Sequence, residues 1–208
     1  PTNASKYSVA IDDSDMTTCY QLAELSIGDG PQASPDWLQQ RLLAVGQRPV
    51  NDIVDASNYV MLELGQPTHA FDAAKVIGDC VSVRPALDSE HFVALDGNEC
   101  SLRTSDHVIS DGEKPLALAG VIGGENSDVS SATKKILIES AAFDATAVRR
   151  SALHHNQRSE ASSRFEKSLD PGFSQLASSR VCQLLCSMRD DIKVLAAPVF
   201  VGSAKIEP

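Results

Sequence analysis

Two Asp-Gly dipeptides, Asp96-Gly97 and Asp111-Gly112, constrain this chain most, because each follows a short apolar run and marks a tight reversal between antiparallel strands. The first closes Phe92-Val93-Ala94-Leu95 as a two-residue hairpin, and the second follows His107-Val108-Ile109. Reversals of this kind build hairpins, not the β-α-β crossovers of a parallel sheet. Helical patterns stand on both sides of them. Ser34 can cap a helix, with Pro35 at its first position and Trp37, Leu38, Leu42 and Val45 at helical spacing up to Gly46. A second helix runs from Asn51 through Ile53, Val54, Val60 and Leu64 to Gly65. Later helices are predicted over Asp144–His155, with Asp144 as cap, and over Pro171–Met188. Further strands are expected at Val81–Val83, at Lys135–Ser140 and around Ile192–Val201. The order helix, sheet, helix indicates an α+β fold, with mixed or antiparallel sheets and hairpins flanked by helices.

The 208 residues, 42% hydrophobic and 22% charged, suffice for one full-sized core or two small ones. No repeat or low-complexity block divides them, and a single module over 1–208 is expected. No apolar stretch approaches the roughly 20 residues of a membrane span. Residues 1–15 lack the basic region and apolar core of a signal peptide. No Met opens the chain, so a piece excised from a longer polypeptide is expected. Lys and Arg number 18 against 28 Asp and Glu, a net charge of −10. That balance opposes a protein that coats a nucleic-acid backbone, since phosphate binding needs clustered cations. A local contact with the end of an RNA needs only a few basic groups. The five cysteines, Cys19, Cys80, Cys100, Cys182 and Cys186, form no C-x-x-C pair. Free thiols in a cytoplasmic protein fit better than a disulfide framework or a zinc site, and Cys182 and Cys186, on a predicted helix, read as small buried apolar residues.

Small or polar residues interrupt the apolar patterns in four blocks: Asp55–Tyr59, Gln66–Asp72, Ala119–Gly124 and Arg158–Ser162. Grouped glycines give up packing area and backbone entropy. The cluster within Ala119–Gly124 therefore marks a close approach by a ligand or another backbone, or a plain β-bulge. The turn-rich run from Gly65 to Asp72 is expected to leave His69 on a loop. An imidazole there can be a general base or a positioning donor, or can simply bond the backbone. Glu139 closes the strand Ile136-Leu137-Ile138 and is expected to be partly buried, which demands a partner. That partner is Arg158 or Arg164 if the residue is structural, and a ligand hydroxyl if it faces a pocket. His91, His107, His154 and His155 form no metal-ligand pattern and are expected to be solvated.

The runs Arg48–Pro67 (RPVNDIVDASNYVMLELGQP), Thr68–Asp72 (THAFD), Leu116–Gly124, Ile136–Ala141 and Arg158–Pro171 (RSEASSRFEKSLDP) closely resemble the bacterial phenylalanyl-tRNA synthetase beta subunit, in its B3/B4 module. The match keeps its order over residues 34–173, and residues 1–33 and 174–208 match more loosely. The resemblance implies a B3/B4-like fold and an editing pocket that hydrolyses misacylated Tyr-tRNA(Phe). Carried over by position, it implies His69, Glu139 and Ser159 as catalytic residues, with Ala161 beside them. Ala119, Gly120 and Gly123 match the small-residue wall of that pocket, Ser57 and Asn58 a polar pair lining it, and Arg48 a basic residue near the tRNA end. The implied partners are the aminoacyl end of tRNA(Phe) and the synthetase alpha subunit in an α2β2 assembly, without a membrane. No cofactor or metal is implied for this module, ATP and magnesium belonging to the whole synthetase. Two departures stand out. Ser159 replaces the usual Thr, keeping the hydroxyl but losing the methyl that narrows the pocket, and Lys167-Ser168-Leu169 replaces the usual Arg-Gly-Val before Asp170-Pro171.

A physical logic supports such a site. A pocket shaped for phenylalanine rejects tyrosine, which merely adds a hydroxyl, by only about a hundredfold. A second pocket can demand the hydroxyl instead. Glu139 would accept a hydrogen bond from the phenol, the small residues would leave room for the ring, and His69 would position the ester or water. Backbone amides near the glycines would stabilise the tetrahedral oxyanion. Two other readings compete: an inactive structural module, and a module that only binds a free aromatic amino acid.

Overall fold

Alternation along two long strands sets the architecture. In the computed structural model, which describes residues 3–203, β2 (Thr17–Ile27) and β10 (Lys135–Phe143) pair antiparallel at the centre of one sheet. Its order is β11–β2–β10–β3, with β3 at His69–Asp72 and β11 at Ile192–Val194. A short strand β12 (Val199–Gly202) pairs with the other end of β2. Both central strands are buried on both faces. Tyr20, Leu22, Phe71, Leu137 and Ala141 point to one side, and Ala23, Leu25, Ile27, Ile136 and Ile138 point to the other, as a period of two requires. Helices α2 (Asp52–Leu64) and α5 (Phe173–Met188) cover the second side through Ile53, Val60, Val181 and Leu185.

A second sheet covers the first side. It runs β1 (Ser8–Ile11), β4 (Cys80–Pro85), β7 (His107–Ser110), β8 (Pro115–Leu118), β9 (Ile122–Gly123), antiparallel except for β1 with β4. Its Val81, Val83, Ile109 and Leu116 complete that core. The hairpin β5 (His91–Val93) and β6 (Glu99–Ser101) and helices α3 (Ala145–His154) and α4 (Ser162–Phe165) close a third cluster around Phe92, Leu118, Val148 and Phe165. Helix α1 (Asp36–Ala44) lies against α2. The fold is α+β, with mixed and antiparallel sheets and hairpins. No helix among the described residues is long and apolar enough to cross a membrane. Residues 1–2 and 204–208 of the expected module lie outside the described residues.

Local chemistry explains the helix ends. Asn51 accepts hydrogen bonds from the amides of Ile53 and Val54, and Gly65 ends α2 at φ +77°. Asp144 caps α3 by accepting from the Ala147 amide. Ser34, expected as the cap of α1, instead donates its hydroxyl to Asp55 at 2.5 Å, and Pro35 holds the cap position. The Asp96-Gly97 reversal has three residues, not two. The Ala94 amide bonds the Asn98 carbonyl at 2.9 Å, and Gly97 takes the left-handed place at φ +81°. The single strand expected over Ile192–Val201 is two, broken around Pro198, which has no amide to donate.

Two expectations are overturned by long-range contacts, and one element goes beyond them: the longest strand, β2, precedes Ser34, its signal Ala23, Leu25 and Ile27 alternating with Glu24 and Ser26. His69 is not on a loop but opens β3, because its backbone pairs with β10. His155 and His107 are not solvated, although His91 and His154 are exposed. His155 Nε2 lies 2.8 Å from the fully buried Asp106, and His107 Nε2 lies 3.3 Å from Asp13. Burial pushes the Asp106 carboxyl up, but bonds from Arg103, Ser151 and His155 outweigh it and hold it well below the ordinary carboxylate range.

Candidate active site

Strand register brings the first pair together. β3 and β10 align His69 opposite Glu139, a direct cross-strand pair about 4.5–5.5 Å apart at Cα. Period two puts both side chains on the face of Phe71 and Leu137, towards the second sheet. There they line one cavity, whose empty space, open mouth included, is about 400 Å³. Thr68, Gly120, Gly123, Phe143, Ala161 and Phe165 are among the other walls.

Among the described residues neither titratable group has a hydrogen-bond or ion-pair partner. The His69 ring packs edge-on against Phe71, with centroids 4.7 Å apart, and its Nε2 is buried without a hydrogen bond. Burial lowers its pKa to about 4, so the imidazole is neutral at pH 7. Glu139 is 6% exposed, and burial raises its pKa to about 8, so the side chain is a neutral acid at pH 7. Neither arginine considered as its structural partner reaches it. Arg158 pairs with Glu166 at 3.0 Å and Arg164 with Glu160 at 2.7 Å. Among the described residues nothing hydrogen-bonds or ion-pairs with the Glu139 carboxyl. Thr68 Oγ1 is a second buried, unbonded polar atom on the cavity, beside His69 Nε2. Folded proteins rarely leave such groups unsatisfied, so a cluster of them on one cavity points to a ligand.

The glycines are there for close approach. A Cβ on Gly123 would stand 2.6 Å from His69 Cε1, so the imidazole occupies space that any other residue would fill. Gly120 turns the chain at φ +70°, and its Cβ would meet Val148 at 2.8 Å. Ser159 sits behind the wall and does not line the cavity. Its hydroxyl donates to the Val121 carbonyl at 2.6 Å and accepts from the Ser162 amide at 3.0 Å. This ties α4 to the cavity-lining turn.

Four other expected residues are placed elsewhere. Ala119 faces a separate small void beside His107. Ser57 and Asn58 lie in α2, which covers the opposite face of the sheet, and Arg48 is exposed between α1 and α2. The expected oxyanion donors are largely committed: the amides of Ala119, Val121 and Gly124 bond the carbonyls of His107, Leu118 and Leu116. Thr68, Phe143 and Phe165 are cavity residues that sequence reasoning missed. Thr68 had a signal, its place beside His69 in a polar block; the two phenylalanines, ring centroids 5.1 Å apart, read as ordinary core. No three or more His, Cys, Asp or Glu side chains among the described residues converge as metal ligands would.

Comparison with known proteins bears on the family and the fold. A family model described as the B3/4 domain matches residues 21–190. The chain is 48% identical over 180 residues to the phenylalanine–tRNA ligase beta subunit of Symbiobacterium thermophilum, covering 86% of this chain and 20% of that protein. It is 44% identical over 185 residues to the beta subunit from Dehalococcoides mccartyi, covering 89% and 23%. The chain thus spans about a fifth of the length of these relatives. Its fold is similar to the crystal structure of an N-terminal fragment of the Pyrococcus horikoshii phenylalanyl-tRNA synthetase beta subunit. That likeness has a TM-score of 0.50 at 15% identity and covers 74% of this chain and 50% of that one.

Proposed function

The chain belongs to the B3/4 domain family, and on that premise we propose that it is the editing module of a phenylalanine–tRNA ligase beta subunit, removing tyrosine wrongly esterified to tRNA(Phe). One observation carries the proposal. His69 and Glu139, directly paired across two strands, open onto one cavity with no hydrogen-bond or ion-pair partner among the described residues.

Selection would work by requiring the hydroxyl. The tyrosine ring would lie among Phe143, Phe165, Gly120 and Ala161, with its phenol at Glu139. At neutral pH the buried carboxyl holds its proton, so one oxygen would accept from the phenol while the other donates to it. Ionised, it still accepts. Phenylalanine would leave this buried group unpaired, at a cost of about 1–3 kcal/mol, roughly ten- to a hundredfold in selectivity. Neutral His69 has one ring nitrogen that donates and one that accepts, and either can hold the ester or the attacking water. An aminoacyl ester is already activated, so a positioned water, helped by the neighbouring hydroxyl of the terminal ribose, suffices without a protein nucleophile. Ser159 would brace the wall rather than react. In this reading the partners are the aminoacyl end of tRNA(Phe) and the ligase alpha subunit, the compartment is the cytoplasm, and the ATP and magnesium of aminoacylation act elsewhere in the enzyme.

The test is deacylation of Tyr-tRNA(Phe) and Phe-tRNA(Phe) by the ligase and its Glu139→Ala variant. The preference for the tyrosyl ester is expected to fall about ten- to a hundredfold. An intact preference would refute the role of Glu139. Binding of free tyrosine by an enzyme that hydrolyses neither ester would make the module a binding site only.

A further inference from the structure

We propose that the outer face of the α3–α4 hairpin is a phosphate track, holding the acceptor strand of the tRNA while its aminoacyl end lies in the cavity. The identity of the RNA rests on the editing reading above; the track itself rests on charge and placement. Residues 145–167 carry five Lys and Arg (Arg149, Arg150, Arg158, Arg164 and Lys167) against two acids, Glu160 and Glu166, in a chain of net charge −10. Arg149, Arg158 and Lys167 line one surface cleft beside Leu153, a leucine that is 66% exposed. The one acid on that cleft, Glu166, is engaged by Arg158 at 3.0 Å. Arg150 lines a second cleft that also reaches Leu153, together with Arg103 and His107, which are held by Asp106 at 2.9 Å and Asp13 at 3.3 Å. Its acid, Asp144, is occupied in capping α3. Arg149, Arg150 and Lys167 have no ion pair among the described residues.

The same hairpin walls the cavity. Ala161 and Phe165 line it, within a few residues of Arg158 and Lys167, and the Ser159 hydroxyl ties the hairpin to Val121, which also lines it. One side of the hairpin therefore meets the bound amino acid while the other presents cations. An acidic protein repels a polyanion, so an RNA end can approach this cavity only where the field is locally reversed. Arginine forks suit phosphate oxygens, which favours a phosphodiester backbone as the partner.

The experiment compares the ligase with its Arg149→Gln/Arg158→Gln/Lys167→Gln variant. Deacylation of Tyr-tRNA(Phe) and affinity for tRNA(Phe) are each measured over a range of salt, alongside hydrolysis of 3′-O-tyrosyl-adenosine, which has no phosphates. The variant is expected to lose about tenfold in kcat/KM on the tRNA. The log–log salt slope should shrink by about 2, three single-strand phosphate contacts at roughly 0.7 each. Hydrolysis of tyrosyl-adenosine should be unchanged. An unchanged salt slope overturns the proposal. So does parallel loss of tyrosyl-adenosine hydrolysis, which would assign these residues to the integrity of the cavity. Loss of subunit association with the slope intact also overturns it, since the partner would then be an acidic protein surface. If the unmodified ligase hydrolyses neither ester, the editing reading fails and the slope of tRNA affinity alone decides the track: shrinkage upholds it and no change rejects it.

Discussion

Burial penalises whichever form of a side chain carries charge, and so it moves Glu139 and His69 in opposite directions, to about 8 and about 4. From pH 4.5 to 8 the unfolded chain ionises this glutamate while the folded protein keeps its proton. Stability therefore falls as pH rises, by up to about 1.4 kcal/mol per unit. For His69 the unfolded chain takes up a proton below pH 6.5 and the folded protein does not until about 4, so stability falls as pH drops through that window. The two slopes oppose each other at mildly acid pH and leave Glu139 alone between 6.5 and 8. Glu139→Gln is expected to remove that alkaline decline, as read from urea unfolding at several pH values; an equally steep decline in the variant would assign it to another group. The sequence marked both residues as exceptional. It did not show that each lacks a partner, because a missing arginine is a fact about neighbours in space.

At the scale of elements, the helix limits and the strands around Val81–Val83 and His107–Ile109 were legible, and a strand made only by long-range pairing, β3, was not. Asn51, Gly65 and Asp144 act on amides a few residues away, so their chemistry is written locally. A four-residue strand such as β3 exists only through its partner β10, and the Gly65–Asp72 run gives no period long enough to announce it. The turn after α4 carries a testable strain. Ser168 sits at φ +60°, its amide bonding the Phe165 carbonyl at 3.1 Å, where the resembled family usually has glycine. A residue with a Cβ pays about 1–2 kcal/mol in that conformation, while glycine gives back part of this through a freer unfolded chain. Ser168→Gly is expected to raise stability by about 0.5–1 kcal/mol in chemical denaturation. A loss of stability would mean that the serine hydroxyl stabilises the turn.

At the scale of the molecule, β10 joins two cores: Leu137 packs towards the second sheet and Ile138 towards α2 and α5. Both residues are fully buried, and each truncation to alanine is expected to cost about 2–5 kcal/mol. Because one strand serves both layers, Leu137→Ala and Ile138→Ala should lower the same single transition in calorimetry. Two separated transitions would show that the layers unfold independently. The sequence by itself determined the α+β class, the major helix limits and the unusual residue types of the site, since turns, caps and periodicity are properties of chain neighbours. Only the tertiary structure decided that His69 faces Glu139, that Ser57 and Asn58 fall across the sheet from them, and that Ser159 is held by Val121. Those outcomes depend on strand register and on which face of a sheet each side chain meets, and both are set by contacts between residues far apart in the chain.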